Sequence, residues 1–473
     1  MSTRNVRKTD VVVVGGGLSG LAAARRLVEH GRSVRVLEAG ARVGGRTLTG
    51  WAGDLALDQG ATLVYPMQHN VFRLAGALGV DLFESRSDGR FLLYTEGARH
   101  SFRFGDSRGM KLFGMPVLRP LLRVALHVAA LRTTLPLPPD AMMQVLRAIS
   151  ALDELAATVP AAAPWTAPDA DLLDCRAFDS WLREQVPSTQ ARRLLEANVA
   201  GYLPATTSLL YALHFFNTWG GVRRLLGTPA RVHRFSGGAQ ELALALAAAL
   251  GDRVVLDSSV LEIAQHSTGV VVRCADAEFA AERVIVAMAP SGIRKLRFEP
   301  ALPVDRIALQ DAWQPVHGRK VNIVYDEPFW RQAGLSGSAL TDLDVVPGLT
   351  DASPQDGNAG ILAGYLPADR GPADAAERRR AVLAVCAELF GPRARTPRHY
   401  VEKNWQDEPY AHGCEGGLAV GALTSARRLA STPVDRVHWA GVETADAWIG
   451  FLSGAIQAGE RAADEVLAAS PAR

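Results

Sequence analysis

Between Asp10 and Arg46 the chain reads DVVVVGGGLSGLAAARRLVEHGRSVRVLEAGARVGGR, and this run constrains the fold more than any other. Val11 to Val14 make a short apolar strand of the kind buried on both faces. Gly15, Gly17 and Gly20 follow in G-x-G-x-x-G spacing, and Leu18 to His30 carry a helical pattern that Gly31 ends. A second strand, Ser33 to Leu37, leads into Glu38. Each part has a physical task. Gly15 permits the tight turn, Gly17 lets a pyrophosphate approach the backbone, and Gly20 packs the helix onto the strand. The pyrophosphate sits at the helix N-terminus, where unpaired N–H groups favour an anion. Glu38 stands 18 positions after Gly20, placed to accept hydrogen bonds from a ribose. Leu18, Ser19 and Ala39 complete the candidate contacts in this run. A secretory leader is the competing reading, since Arg4, Arg7 and Lys8 precede the apolar stretch. Three consecutive glycines inside it and an unbroken βαβ pattern argue against cleavage. The segment binds an adenine dinucleotide.

Which dinucleotide is decided just downstream, at Arg42-Val43-Gly44-Gly45-Arg46. A nicotinamide enzyme has no need of a second glycine pair between arginines. A flavin enzyme that stretches FAD through its interior needs further backbone approach and a cation. These residues resemble the opening of the flavin amine oxidase superfamily. The resemblance implies that Gly44, Gly45 and Arg46 lie along the diphosphate. Gly40 departs from it, standing where monoamine oxidases usually carry a basic residue, which implies fewer contacts to the adenosine.

The resemblance continues along the chain. The turn Asp58-Gln59-Gly60-Ala61-Thr62 matches one that passes its backbone along the flavin ring, so Gly60, Ala61 and Thr62 are candidate contacts. Val260 aligns with a residue that clamps adenine through its backbone. Lys320 to Trp330 reads KVNIVYDEPFW, similar to a monoamine oxidase strand whose lysine holds a water against flavin N5. Such a cation favours charge on the reduced flavin and assists electron return to oxygen. The chain has only five lysines, and one of them stands at this position. Alternation puts Lys320, Asn322 and Val324 on one face of the strand and Val321, Ile323 and Tyr325 on the other.

The C-terminal stretch carries Trp405, then Cys414-Glu415, a strand over Val437 to Ala440, Gly441-Val442-Glu443-Thr444, and Trp448-Ile449-Gly450-Phe451-Leu452 before a helix from Gly454. That helix points its N-terminus at whatever lies above the strand, an end suited to a reduced flavin. By the resemblance, Trp405, Gly441, Val442, Glu443, Gly450 and Leu452 border the cofactor. Cys414 aligns with the cysteine that monoamine oxidases bond to the flavin 8α carbon. The alternative is an inert thiol beside non-covalent FAD. Glu415 and Phe451 occupy the positions of two tyrosines that sandwich the amine. One aromatic wall is kept and a carboxylate replaces the other, open to roles as cation anchor, proton acceptor or solvated residue.

The rest bounds the answer. At 473 residues and a formal net charge of +2, two or three domains are expected, and no basic, aromatic-interleaved patch suggests nucleic acid. No apolar stretch approaches bilayer length, and Pro471-Ala472-Arg473 carry no lipidation signal. Cys175, Cys274, Cys386 and Cys414 are scattered, indicating neither a disulfide framework nor a metal site. A cytoplasmic setting is expected; the oligomeric state stays open, a homodimer included.

Helices are read at Pro116 to Leu131, Ala141 to Leu155, Phe178 to Gln185, Gln190 to Val199, Ser208 to Trp219 and Ala239 to Leu250, with a hairpin over Phe91 to Phe104. The 116–131 helix is apolar with arginines at its ends, and covers a substrate domain or lies on a membrane. Asn198, Tyr202 and His214 are weaker pocket candidates. Gly348 to Gly371 reads as surface loops around one strand, Ile361 to Tyr365, and Ala373 to Leu389 as an exposed helix.

The expected fold is α/β: a Rossmann-like FAD-binding domain of the glutathione-reductase kind, with a discontinuous α+β substrate domain. The first takes 1–84, 222–295 and 400–473, the second 85–221 and 296–399. The expected reaction removes a hydride from a carbon bearing nitrogen (amine, amino acid or amide) to give an imine, and reduces O2 to H2O2. Two other classes stay open: an FAD-dependent desaturase acting on C–C bonds of a lipophilic metabolite, and a non-enzymatic flavin scaffold.

Overall fold

A computed structural model describes residues 6–102, 137–196, 203–227, 232–411, 413–426 and 429–469. At its centre is a five-stranded, wholly parallel sheet in the spatial order Val254–Val255, Val34–Leu37, Val11–Val14, Arg283–Val286, Val437–Trp439. Three separated stretches of the chain supply those strands. The four valines are central and fully buried, as a strand covered on both faces requires.

Helix Leu18–Glu29 follows the first strand. Its apolar face, Leu18, Leu21, Ala22, Ala23, Ala24 and Leu27, is buried. It ends where Gly31 turns at φ +75°, with Gly31 N–H on Val28 O (2.9 Å) and Arg32 N–H on Leu27 O (3.0 Å). The helix packs along Leu452–Ala469, from the other end of the chain. The contact is close enough that a Cβ on Gly459 would fall 2.1 Å from Ser19 O. On the other face of the sheet lies a second five-stranded sheet that includes Val260–His266, Gly269–Cys274 and Glu278–Ala281. The last of these strands was not read from the sequence.

A seven-stranded sheet forms the floor of the remaining half. Its order is His399–Asn404, Gly318–Tyr325, Gly360–Pro367, Gly348–Asp351, Leu335–Thr341, Arg90–Thr95, Ala98–Phe102. The expected hairpin is the last pair. Two expectations need correction. Gly348 to Gly371 holds two strands inside this sheet, not loops around one. Its glycines admit close neighbours: a Cβ on Gly364 would sit 2.8 Å from Gly348 O, and one on Gly360 would sit 2.4 Å from Glu327 O. The helix expected to be exposed, observed at Ala375–Phe390, buries Val382, Leu383, Cys386, Leu389 and Phe390 against the sheet. Both faces of Gly318–Tyr325 are covered, so Val321 to Tyr325 are all buried despite the alternation.

Helices Pro139–Ala157, Phe178–Gln185, Thr189–Leu195 and Leu209–Thr218 build a separate apolar core. The expected 116–131 helix, with Asn198 and Tyr202, lies outside the described residues. Among the described residues no helix is long and apolar enough to cross a membrane.

Candidate active site

A cavity of about 2360 Å³ runs from Glu38 and Val260 at one end to Phe451 at the other. Small-molecule pockets span roughly 300–1,000 Å³, so this one accommodates a long cofactor together with a substrate.

Its first third is a cradle of backbone. Gly15 takes φ +108°, and a Cβ there would lie 2.6 Å from Ala287 O. Gly44 N–H donates to Gly16 O (2.9 Å), which holds the two glycine loops side by side. Gly17 and Gly45 face one another, the nearest atom to a Cβ on Gly17 being Gly45 Cα at 4.0 Å. Leu18 and Ser19 line the cavity where the helix begins. Ser19 Oγ donates to Ala440 O and so ties this turn to the C-terminal strand. Gly20 supports the cradle without lining it, since a Cβ there would sit 2.0 Å from Gly15 O.

Glu38 closes the strand Val34–Leu37 with its carboxylate turned back, accepting from Gly16 N–H (2.6 Å) and Gly40 N–H (2.8 Å). Burial raises its carboxyl pKa, and those two donors pull it back. Ala39 and Val260 line the same end. Arg46 pairs with Glu443, Nη1 to Oε1 2.6 Å, and Glu443 is only 2% exposed. Glu443 Oε2 has no hydrogen-bond partner among the described residues. Arg46 lines the cavity; Glu443 stands behind it.

The other end is built from three pieces. The turn at Gly60 is tight, because a Cβ would meet Arg46 O at 2.3 Å and the Trp405 ring at 2.7 Å. Trp405 Nε1 donates to Gln59 O (2.6 Å), fixing the indole against the turn. Across it lies Gly318–Tyr325, whose Lys320 Nζ donates to Thr62 Oγ1 (3.2 Å). Burial lowers the pKa of this ammonium; the negative charge of Asp58 opposes the shift and the positive charge of Arg234 adds to it. Gly60, Ala61, Thr62, Lys320 and Trp405 therefore meet at one wall.

The third piece is C-terminal. Gly441, Val442, Gly450, Phe451 and Leu452 line the cavity, and helix Leu452–Ala469 starts there, two residues before the expected Gly454. Strand Cys414–Leu418 pairs antiparallel with Trp313–Val316, placing Cys414 opposite Val316 and Glu415 opposite Pro315. Gly413 and Gly416, which flank those two residues, line the cavity.

Phe451 belongs to an aromatic group that sequence reasoning missed. Tyr65 and Trp219 meet edge to face at 4.5 Å, Trp219 and Phe451 at 5.6 Å, and Phe215 stacks on Phe451 at 6.2 Å. All four line the cavity. They come from three distant segments, and the only advance signal was their position beside the Gly60 turn and on the Leu209–Thr218 helix. His214, on that helix, is 2% exposed and shares Nε2 between Ala161 O (2.9 Å) and Asp446 O (3.0 Å). It is a satisfied core residue.

The donor set fits FAD in extended form. Paired glycine loops and a helix N-terminus suit the diphosphate, Glu38 the ribose, and the Gly60 turn with Trp405 a flat ring system. A family model for flavin containing amine oxidoreductases matches residues 18–467. The chain belongs to this family. Among proteins similar to it is AofH of Mycobacterium tuberculosis, provisionally named a flavin-containing monoamine oxidase: 36% identical over 97% of this chain and 96% of that protein. The human flavin-containing amine oxidase B is 33% identical over 97% of this chain and 86% of its own length. Among solved structures, wild-type putrescine oxidase bound to putrescine superposes with a TM-score of 0.88 at 29% identity, covering 98% of this chain and 100% of that one. Cyclohexylamine oxidase from Brevibacterium oxydans gives 0.85 at 30% identity, covering 98% and 99%. This flavin-containing amine oxidoreductase thus carries an amine oxidase fold along nearly its whole length.

Proposed function

We propose that the protein is an FAD-dependent oxidase that takes a hydride from a carbon next to nitrogen, in an amine, amino acid or amide, to give an imine. Bound FAD supplies the two-electron acceptor and passes the electrons to O2, releasing H2O2. The observation that carries this reading is Lys320 at the cavity wall, 3.2 Å from the Thr62 hydroxyl beside the Gly60 turn. A desolvated ammonium at the ring end holds a water in place and favours negative charge there. The cradle of Gly15, Gly17, Gly44 and Gly45 grips the diphosphate, with Arg46 as its cation. The aromatic group at Phe451 excludes water and seats the apolar body of the substrate. Glu415, in the strand beside the cavity-lining Gly416, is the candidate anchor for a cationic group of the substrate. In this reading the chain is taken as two parts, with Arg297–Glu299, His399–Asn404 and Cys414–Leu418 counted with the strands they join.

A peroxide-coupled screen of amines, amino acids and amides tests the reaction. Peroxide released in proportion to substrate consumed is the expected result; turnover only with an added electron acceptor, and none with O2, would sink the oxidase reading.

Cys414 is the proposed anchor for a thioether to the flavin. Acid precipitation of the purified protein leaves the yellow colour in the pellet, whereas Cys414→Ser releases it to the supernatant. Colour in the wild-type supernatant would show that the cofactor is held without a covalent bond.

A further inference from the structure

Asp58 ends the strand Leu55–Asp58 and opens the turn that closes at Thr62. Strand Gly318–Tyr325 spans that turn at both ends. Asn322 Nδ2 donates to Asp58 O (3.0 Å), and Lys320 Nζ donates to Thr62 Oγ1 (3.2 Å). Lys320 and Asn322 stand two apart on the strand and share a face, so these two hydrogen bonds lay that face across both ends of the Asp58–Thr62 turn. Among the described residues neither Lys320 nor Asp58 forms an ion pair at contact distance. Asp58 Oδ1 is held by Ala239 N–H (2.8 Å) and by the Thr49 hydroxyl (3.2 Å), which fix the carboxylate in place.

The other charges around Lys320 leave Asp58 as its counter-charge. Tyr365 and Lys403 stand opposite Lys320 on the neighbouring strands. Lys403 is paired with Glu408, which also receives Arg42. Arg234 brings a fixed positive charge, its guanidinium donating to Ala352 O, Ser353 O and the Ser85 hydroxyl. Lys320 and Arg234 are therefore both acted on by the immobilised Asp58 carboxylate, while the second carboxylate near Arg234, Asp351, is paired with Arg331.

We propose that Asp58 is a positioning residue for the charge on Lys320, keeping its ammonium protonated at the ring end of the cavity. The proposal rests on the role of Lys320 given above. Its electrostatics run in the required direction. Burial lowers the Lys320 pKa, Asp58 raises it, and Arg234 lowers it. Burial likewise raises the Asp58 pKa, which the Ala239 N–H and Lys320 counteract. Removing the negative charge therefore moves the loss of the Lys320 proton to lower pH.

The experiment uses the FAD-loaded, full-length protein and reads the midpoint potential of the bound flavin across pH in wild type, Lys320→Met and Asp58→Asn. The amide keeps an oxygen for Ala239 and Thr49 and removes only the charge. The wild-type curve is expected to bend where Lys320 deprotonates, and Lys320→Met to abolish the bend. Asp58→Asn is expected to shift it down by about one pH unit or more. A bend that stays put in Asp58→Asn overturns the proposal. A wild-type curve that Lys320→Met leaves unchanged overturns the Lys320 assignment as well. A denaturation cycle covers the case in which Asp58→Asn folds poorly. With the charges coupled, Asp58→Asn/Lys320→Met is less destabilised than the sum of the single variants; strict additivity overturns the coupling.

Discussion

Replacing Lys320 with methionine slows reoxidation of the amine-reduced protein by O2 about 10²–10³-fold, the scale of losing one preorganised charge-stabilising donor, while FAD stays bound. Methionine fills similar space on a strand whose neighbours are all packed, so the fold survives. The ammonium and whatever water it holds are lost. The measurement is stopped-flow absorbance of the flavin in each half-reaction, with substrate reduction followed anaerobically and reoxidation started by O2. The loss belongs to the second half-reaction. Unchanged rates in both halves would leave the oxidase reading without its main support.

The second large effect is expected at Arg46. Glu443 is almost completely enclosed, and Arg46 meets one of its oxygens while the other has no partner among the described residues. Arg46→Ala leaves a buried carboxylate without its cation, a loss of about 3–5 kcal/mol in comparable buried pairs. Urea denaturation of the FAD-free protein reads it directly. Arg46→Ala/Glu443→Gln should recover much of the stability, because a neutral amide in the same pocket is far less costly than an orphaned charge. FAD retention should stay poor in both variants, since Arg46 also lines the diphosphate cradle. A double variant no more stable than the single one would mean that Arg46 acts through packing and not through charge.

What the sequence reveals about this site follows from how local each part is. The cradle is legible because every piece of it is a backbone demand met within a few residues: a strand too apolar to face water, a turn that only glycine fits, a helix beginning at the anion. Lys320 is legible because lysine is scarce in this chain and stands beside a recognisable run. The aromatic wall is not. Phe451 is marked by the resemblance as a pocket wall, but Tyr65, Phe215 and Trp219 each look like ordinary core residues in their own segments, and only the packing of distant pieces joins them to it. Asp58 escaped for the same reason, because its significance lies in a strand more than 250 positions away. The strand Gly348–Asp351 reads as loop, and Gly360–Pro367 reads short as Ile361 to Tyr365, because glycine signals a turn more often than a close strand neighbour. Glu38 was legible as a residue of the site, but its grip on Gly16 and Gly40 depends on how the strand end meets both loops.

The seam between Leu18–Glu29 and Leu452–Ala469 has a consequence for how the protein matures. Ser19 and Gly459 touch across some 440 positions of chain, and the strand bordering the cradle on one side is Val437–Trp439. A ribosome would release the glycine fingerprint long before its partners exist, so the early segment waits as an incomplete sheet with an exposed apolar edge. Such wiring is slow to assemble and vulnerable to aggregation in the interval. Cofactor capture is accordingly a late event that locks a nearly finished chain, and overexpression without adequate flavin supply should yield inclusion bodies before it yields soluble apoprotein.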